Sequence, residues 1–131
     1  MKKAIIYARH ITYRKYEPNI AEQLYSCEQC ATIHNLKVIN TYIDLSNEKL
    51  QTYPMFEQLK KECKHLNIDT IIIYSACVLG RNFSKILKFK NDMKKNGIRV
   101  VFTDIDSSPY KETYKLFESY IDNLLKGGDK K

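Results

Sequence analysis

The sequence predicts an α/β domain, a layered sheet covered by helices, and three observations carry that prediction. Short apolar segments alternate along the chain with amphipathic segments of ten residues or more, the pattern of βαβ units. The segment "DTIIIYSA" (69–76) is apolar without alternation, as in a parallel strand buried on both faces. No repeat, low-complexity tract or linker interrupts the alternation. The 131 residues therefore read as a single domain, large enough to bury a core without disulfides or metal.

The elements follow in order. "KAIIYA" (3–8) is the first strand. The segment "NIAEQLYSCEQCATIHN" is a helix, with Asn19 as N-cap, Glu22 three residues on, and an apolar stripe of Ile20, Leu24, Cys27 and Ala31. "KVINTYID" (37–44) is the second strand. "PMFEQLKKECKHL" is a helix that starts at Pro54 and buries Phe56, Leu59, Cys63 and Leu66. "DTIIIYSA" is the third strand. "RNFSKILKFKNDMKKNG" is a helix stopped by Gly97 in the left-handed conformation. "IRVVFTD" (98–104) is the fourth strand. A last helix opens with Ser108 before Pro109 and ends in Gly-Gly.

These elements set the boundaries: a sheet domain over 1–106, a C-terminal helix over 107–126 and a short polar tail over 127–131. The last helix has two apolar faces. One holds Tyr110, Tyr114, Phe117, Ile121 and Leu124, and the other Leu116, Tyr120 and Leu125. One stripe suffices to dock a helix on its own domain. The second face reads either as a subunit contact or as a broad core-facing surface.

Composition excludes several classes. Hydrophobic residues at 44% and charged residues at 28% are ordinary for a folded soluble chain. No apolar run approaches the ~20 residues of a membrane span. "MKK" precedes only a short apolar strand without a cleavage site, so no signal peptide is expected. Four cysteines are too few for a disulfide scaffold and point to a reducing, cytoplasmic setting. The net charge of +7 comes from 18 Lys against 4 Arg. It attracts polyanions, or it is simply a solvated lysine surface. Heavy use of Lys, Ile, Asn and Tyr would also follow from an AT-rich coding sequence.

Arg9 falls at the end of the first strand, Asp44 at the end of the second and Arg81 just past the third. The carboxyl ends of parallel strands share one edge, so the three are expected to converge there. Two arginines and a carboxylate suit an anion such as phosphate. A structural Arg–Asp pair is the alternative, and the more economical one on these residues alone.

Six segments in register sharpen this: "YAR", "IAEQL", "YID", "YPMFEQL", "IDTIIIYSACVLGRN" and "GIRVVFTD". Together they resemble the catalytic domain of the serine recombinases (resolvases and invertases) over residues 3–105, with a weaker continuation into the last helix. The resemblance implies a three-layer sandwich whose central, mostly parallel sheet has four or five strands, with a C-terminal helix used in dimerisation. It implies a bacterial, phage or mobile-element gene. In the family a serine hydroxyl attacks the DNA backbone phosphate and becomes joined to it, arginines surround the phosphate, and a tetramer exchanges strands. No metal or other cofactor is implied.

Carried over position by position, Arg9 matches the arginine beside the nucleophile, Gln23 a glutamine that orders the site, and Asp44 the acidic residue after the second strand. Lys64 and Asp69 match a supporting lysine and aspartate, and Arg81 the second arginine of Asp-Arg-Leu-x-Arg. Arg9 and Arg81 would then hold phosphate.

The departures weigh against activity. The nucleophile of Tyr-x-Arg-x-Ser falls at Ile11, which has no lone pair to attack phosphorus. The Asp-Arg pair falls at Cys77 and Val78, and the arginine before the helix proline at Tyr53. Losing a nucleophile costs on the order of 10⁶ in rate in a triad enzyme, and lost arginines remove transition-state charge stabilisation. Thr12, activated by His10, is a conceivable substitute. It would need a one-residue bulge, because adjacent side chains point to opposite sides. Cys77 reads as a small buried residue rather than a nucleophile. "CEQC" (27–30) lies mid-helix, where buried packing explains it better than redox or zinc chemistry.

Family members continue into a DNA-binding module, whereas this chain stops at "LLKGGDKK". The sequence therefore predicts an inactive recombinase-like domain that forms a homodimer, or a heteromer with a full-length recombinase, and modulates it. DNA binding is expected to be weak without a reader module, and no membrane partner is expected. Two alternatives remain: DNA cleavage through Thr12, including as a fragment of a longer recombinase, or a small phosphate- or nucleotide-binding domain.

Overall fold

A computed structural model describes residues 1–11, 19–46, 52–80, 82–106 and 123. Thr12, Arg81, the polar tail and, apart from residue 123, the predicted last helix lie outside them. The sheet consists of β1 (Lys2–Ile11), β2 (Leu36–Ser46), β3 (Thr70–Ile73) and β4 (Arg99–Phe102). All pairings are parallel, in the order β2-β1-β3-β4. Helices α1 (Ile20–Ile33), α2 (Pro54–Glu62) and α3 (Phe83–Lys95) make the crossovers, and a short α4 (Thr103–Asp106) follows β4.

Side chains of β1 alternate between two cores, as the pleat requires. Ile5 and Tyr7 join Ile71, Ile73, Val100 and Phe102 beneath α2 and α3. Ala4 and Ile6 join Ile72 and Val101 beneath α1. Helices on both faces of the sheet make the predicted three-layer sandwich. The α1 layer uses small residues, Ala4, Cys27, Cys30 and Ala31. Burial pushes the Cys27 thiol up to about 12, so it behaves as a packed apolar group. Among the described residues no cluster could hold a metal ion.

The sequence-based boundaries shift in instructive ways. β1 and β2 run beyond their expected ends, because each supplies the other's hydrogen-bond partners as far as Ile11 and Ser46. The β1–β2 register slips after Ala4, giving β2 one extra residue. That bulge lets both Ile39 and Tyr42, three positions apart, pack into the same layer.

β3 is shorter than "DTIIIYSA" suggested. The Ser75 hydroxyl accepts the Cys77 N–H at 3.2 Å and turns the chain into a 3-10 helix, Ala76–Leu79. β4 likewise ends at Phe102, where α4 begins. Asn19 caps α1 by accepting the Glu22 N–H at 2.9 Å, and Gly97 is left-handed (φ 74) after α3, both as expected. Asn35 and Asn67 also adopt positive φ, 56 and 55, after α1 and α2; short polar side chains tolerate that conformation. The α1 stripe is rotated from the expected one: Gln23 and Cys30 are buried, while Ile20 and Leu24 are only partly covered.

Candidate functional site

At the carboxyl ends of β1 and β2 a chain of polar side chains is buried beside α2. Arg9 and Asp44 are register partners on adjacent strands, 6% and 3% exposed. They do not meet as a simple ion pair. The Arg9 Nε–H donates to the Tyr7 hydroxyl at 2.8 Å, and that hydroxyl donates to Asp44 Oδ2 at 2.7 Å. Burial, foremost, pushes the Tyr7 phenol well above its ordinary range, against the pull of Arg9. The phenol therefore stays protonated and serves as the joint between cation and carboxylate.

Asp44 has a second task. Pro54 opens α2 without an N–H, and its N-cap, Tyr53, makes no side-chain capping bond. The next two amides, Met55 and Phe56, donate to Asp44 Oδ1 and Oδ2, each at 2.9 Å. A carboxylate from β2 thus caps a helix ten residues further on, satisfying orphan donors and facing the positive end of the helix dipole.

Gln23 completes the frame. β3 runs beside β1 only from Ala4 to Tyr7, so Arg9 lies past the end of that neighbour. The Gln23 side chain replaces it. Its Nε2–H donates to the Arg9 carbonyl at 2.8 Å, and its Oε1 accepts the Arg9 N–H at 3.2 Å. A side-chain amide mimics one rung of a strand, which explains a buried glutamine on an otherwise apolar helix face.

The Arg9 guanidinium is enclosed by aromatic rings. Its Cζ lies 3.4 Å from the Tyr53 ring centroid, 5.3 Å from Tyr7 and 5.4 Å from Phe56. Phe56 in turn packs between Tyr7 and Phe89, with ring centroids 5.0 Å apart in each pair. Tyr53 stands where the resemblance expects an arginine, so a cation–π contact occupies the place of a second positive charge.

Of the residues singled out in the sequence, the structure brings together Arg9, Gln23 and Asp44. Arg81 and Thr12 lie outside the described residues. The backbone of Ile11 closes β1 opposite Ser46. His10 is half-buried, and its Nδ1 has no hydrogen-bond partner among the described residues.

Asp69 and Lys64 are not at this edge. Asp69 precedes β3 at the amino-terminal end of the sheet, where its carboxylate accepts the Lys3 N–H at 3.1 Å. Lys64 is exposed beyond the C-terminus of α2. Parallel strands put the strand starts, and the residues just before them, at the far end of the sheet from Arg9.

Cys77 is exposed rather than buried as expected, because the 3-10 turn carries it outward. Val78, in the other replaced slot, packs on the core. Sequence reasoning noted Tyr53 as a replaced arginine and Tyr7 as part of "YAR", but not that both hold Arg9, for which their aromatic character near an arginine was the available signal. It also missed Ser46, a buried hydroxyl in register with Ile11.

Comparison with known proteins places this arrangement. No individually curated protein matches the chain. Among solved structures, the N-terminal catalytic domain of TP901-1 integrase is similar, with 24% identity, 96% of this chain and 98% of that chain covered, and a TM-score of 0.71. The C-terminal catalytic domain of ISC1926 TnpA, an IS607-like serine recombinase, is 17% identical, with 93% of this chain and 82% of that chain covered, at a TM-score of 0.64. A resolvase family site-specific recombinase from Streptococcus pneumoniae is 11% identical, with coverage of 99% and 91% and a TM-score of 0.69. At these identities the likeness shows the fold. The family model "Resolvase, N terminal domain" matches residues 4–124, nearly the whole chain, and the protein belongs to that family.

Proposed function

We propose that this resolvase-family domain does not cleave DNA itself and acts by association, as a homodimer or beside a full-length recombinase that it modulates. The observation that carries this reading is Ile11 in the place of the family's serine. An aliphatic side chain offers no atom that could attack phosphorus.

The surroundings support it. Tyr53 replaces an arginine and covers the Arg9 guanidinium at 3.4 Å, and Arg9 is already bonded to Tyr7. A phosphate approaching this edge meets an aromatic ring where electrostatic stabilisation of the transition state would be needed. Support for association comes from the two apolar faces of the sequence over 107–126, in excess of what docking one helix requires.

The test is a covalent trap. The protein is incubated with supercoiled DNA and quenched under conditions that preserve a protein–phosphate bond. The expected result is no adduct. An adduct abolished by Thr12→Ala or Ser46→Ala would overturn the inactive reading and identify the displaced hydroxyl. Association is read by mass in solution, alone and with a full-length serine recombinase. A dimer or a mixed complex is expected, and a strict monomer that binds no recombinase would overturn it.

A further inference from the structure

We infer that the amino-terminal edge of the sheet, opposite the Arg9 site, is a docking surface for a nucleic-acid phosphate backbone. In a parallel α/β layer the strand starts and the helix C-termini share one edge. Here β1 begins with Lys2 and Lys3, β2 carries Lys37 at its second position, and β4 begins with Arg99. Lys94 lies in the last turn of α3, and Lys64 follows α2. All six are exposed, and none is in an ion pair with a described residue.

Two of the carboxylates nearby are engaged in hydrogen bonds, while Asp92, in the last turn of α3, is exposed. Asp69 accepts the Lys3 backbone N–H, and Glu62 is held by the Tyr42 hydroxyl and by Gln58 at 2.7 Å. Those two bonds hold the Glu62 carboxyl below its usual range.

The fold explains only some of these cations. Lys94 faces the negative end of its helix dipole, which stabilises it there. Strand starts have no comparable field, since sheets carry only small net dipoles. Yet Lys3 and Lys37 are register partners on adjacent strands. Like charges at that spacing, about 5 Å, repel and destabilise the pairing. A repulsive pair at adjacent strand starts has a purpose if an external polyanion lies across it.

The shape agrees. Three of the four strand starts, those of β2, β1 and β4, carry cations across about 15 Å of sheet. They are exposed on flexible stems rather than gathered in a cavity, with Asp69 before β3 lying between them. A row suits repeated phosphates, read for charge and not for sequence. The surface lies at the opposite ends of the strands from Arg9, so it does not depend on whether any cleavage chemistry survives.

The experiment measures binding of a 20-base-pair duplex of arbitrary sequence by fluorescence anisotropy as salt is raised. The double variant Lys3→Gln/Lys37→Gln is compared with Lys85→Gln/Lys88→Gln, which removes the same charge from the first half of α3. For the first variant the slope of log affinity against log salt is expected to fall by about 2, close to 0.9 for each phosphate no longer neutralised. Its melting temperature is expected to hold or rise, because a repulsion has been relieved. The second variant keeps the wild-type slope. Equal weakening in both variants would reduce the effect to net charge and overturn the proposal. So would a wild type that shows no salt-dependent duplex binding, or one that binds phosphatidylserine vesicles and not the duplex.

Discussion

The two ends of the sheet use charge in opposite ways. At the carboxyl end Arg9 and Asp44 are nearly sealed from solvent and tied through Tyr7, two helix amides and three aromatic rings. At the amino end the cations are exposed, and two of the carboxylates beside them, Asp69 and Glu62, accept hydrogen bonds from neutral donors. Buried charge is costly unless every group finds a partner, and removing one partner exposes that cost. Exposed charge contributes little to folding and remains available to a ligand. The first end is therefore read as part of the fold's framework and the second as a contact surface.

That contrast orders the expected effects. Asp44→Ala removes the acceptor for Tyr7 and for two α2 amides at once, and is expected to destabilise by about 3–5 kcal/mol in denaturant titration. Asp44→Asn keeps part of the cap and costs less. A small loss for the alanine variant would mean that water can replace the network, and the two ends would no longer differ.

Gln23→Leu keeps the volume but leaves the Arg9 N–H and C=O without their partner. A loss of about 1–3 kcal/mol is expected, with amide exchange accelerated at Arg9.

The alkaline limb comes next. Burial raises the thiol of Cys27 from 9.0 and, with the Glu62 bond, the hydroxyl of Tyr42 from 10.0, each to about 12 in the folded state. Unfolded, these groups lose their protons first, so the unfolded state binds fewer protons through this window. Stability is thus intact below pH 9 and declines progressively as pH rises towards 12. Tyr42→Phe should flatten the upper part of that decline in thermal melts.

Smallest are the edge lysines. Lys37→Gln or Lys94→Gln should change stability by no more than about 0.5 kcal/mol. A larger loss would give these residues a structural role and narrow the contrast.

How far the sequence revealed this depended on the range of the interactions. The alternation of elements, the Asn19 cap and the left-handed Gly97 are local, and the segments "YAR" and "YID" placed Arg9 and Asp44 on neighbouring strand ends. The length of β3 was not legible, because Ser75 ends the strand by a side-chain bond that competes with the ladder. The partners of Arg9 were not legible either. A glutamine standing in for a strand, and an aspartate capping a helix across a loop, come from three-dimensional neighbours that periodicity does not encode. Asp69, matched in the sequence to a supporting aspartate before the third strand, lies at the other end of the sheet from Arg9, where parallel topology puts the strand starts.

Arg9 is central because it is assigned to holding the fold rather than a phosphate. Thermal unfolding of Arg9→Ala, with and without inorganic phosphate, tests that assignment most directly. The variant should lose about 3 kcal/mol, a drop of roughly 10 °C in melting temperature, and added phosphate should not separate it further from the wild type. A variant as stable as the wild type, in which a phosphate-dependent rise in melting temperature has vanished, would contradict the account and return Arg9 to the role of an anion grip.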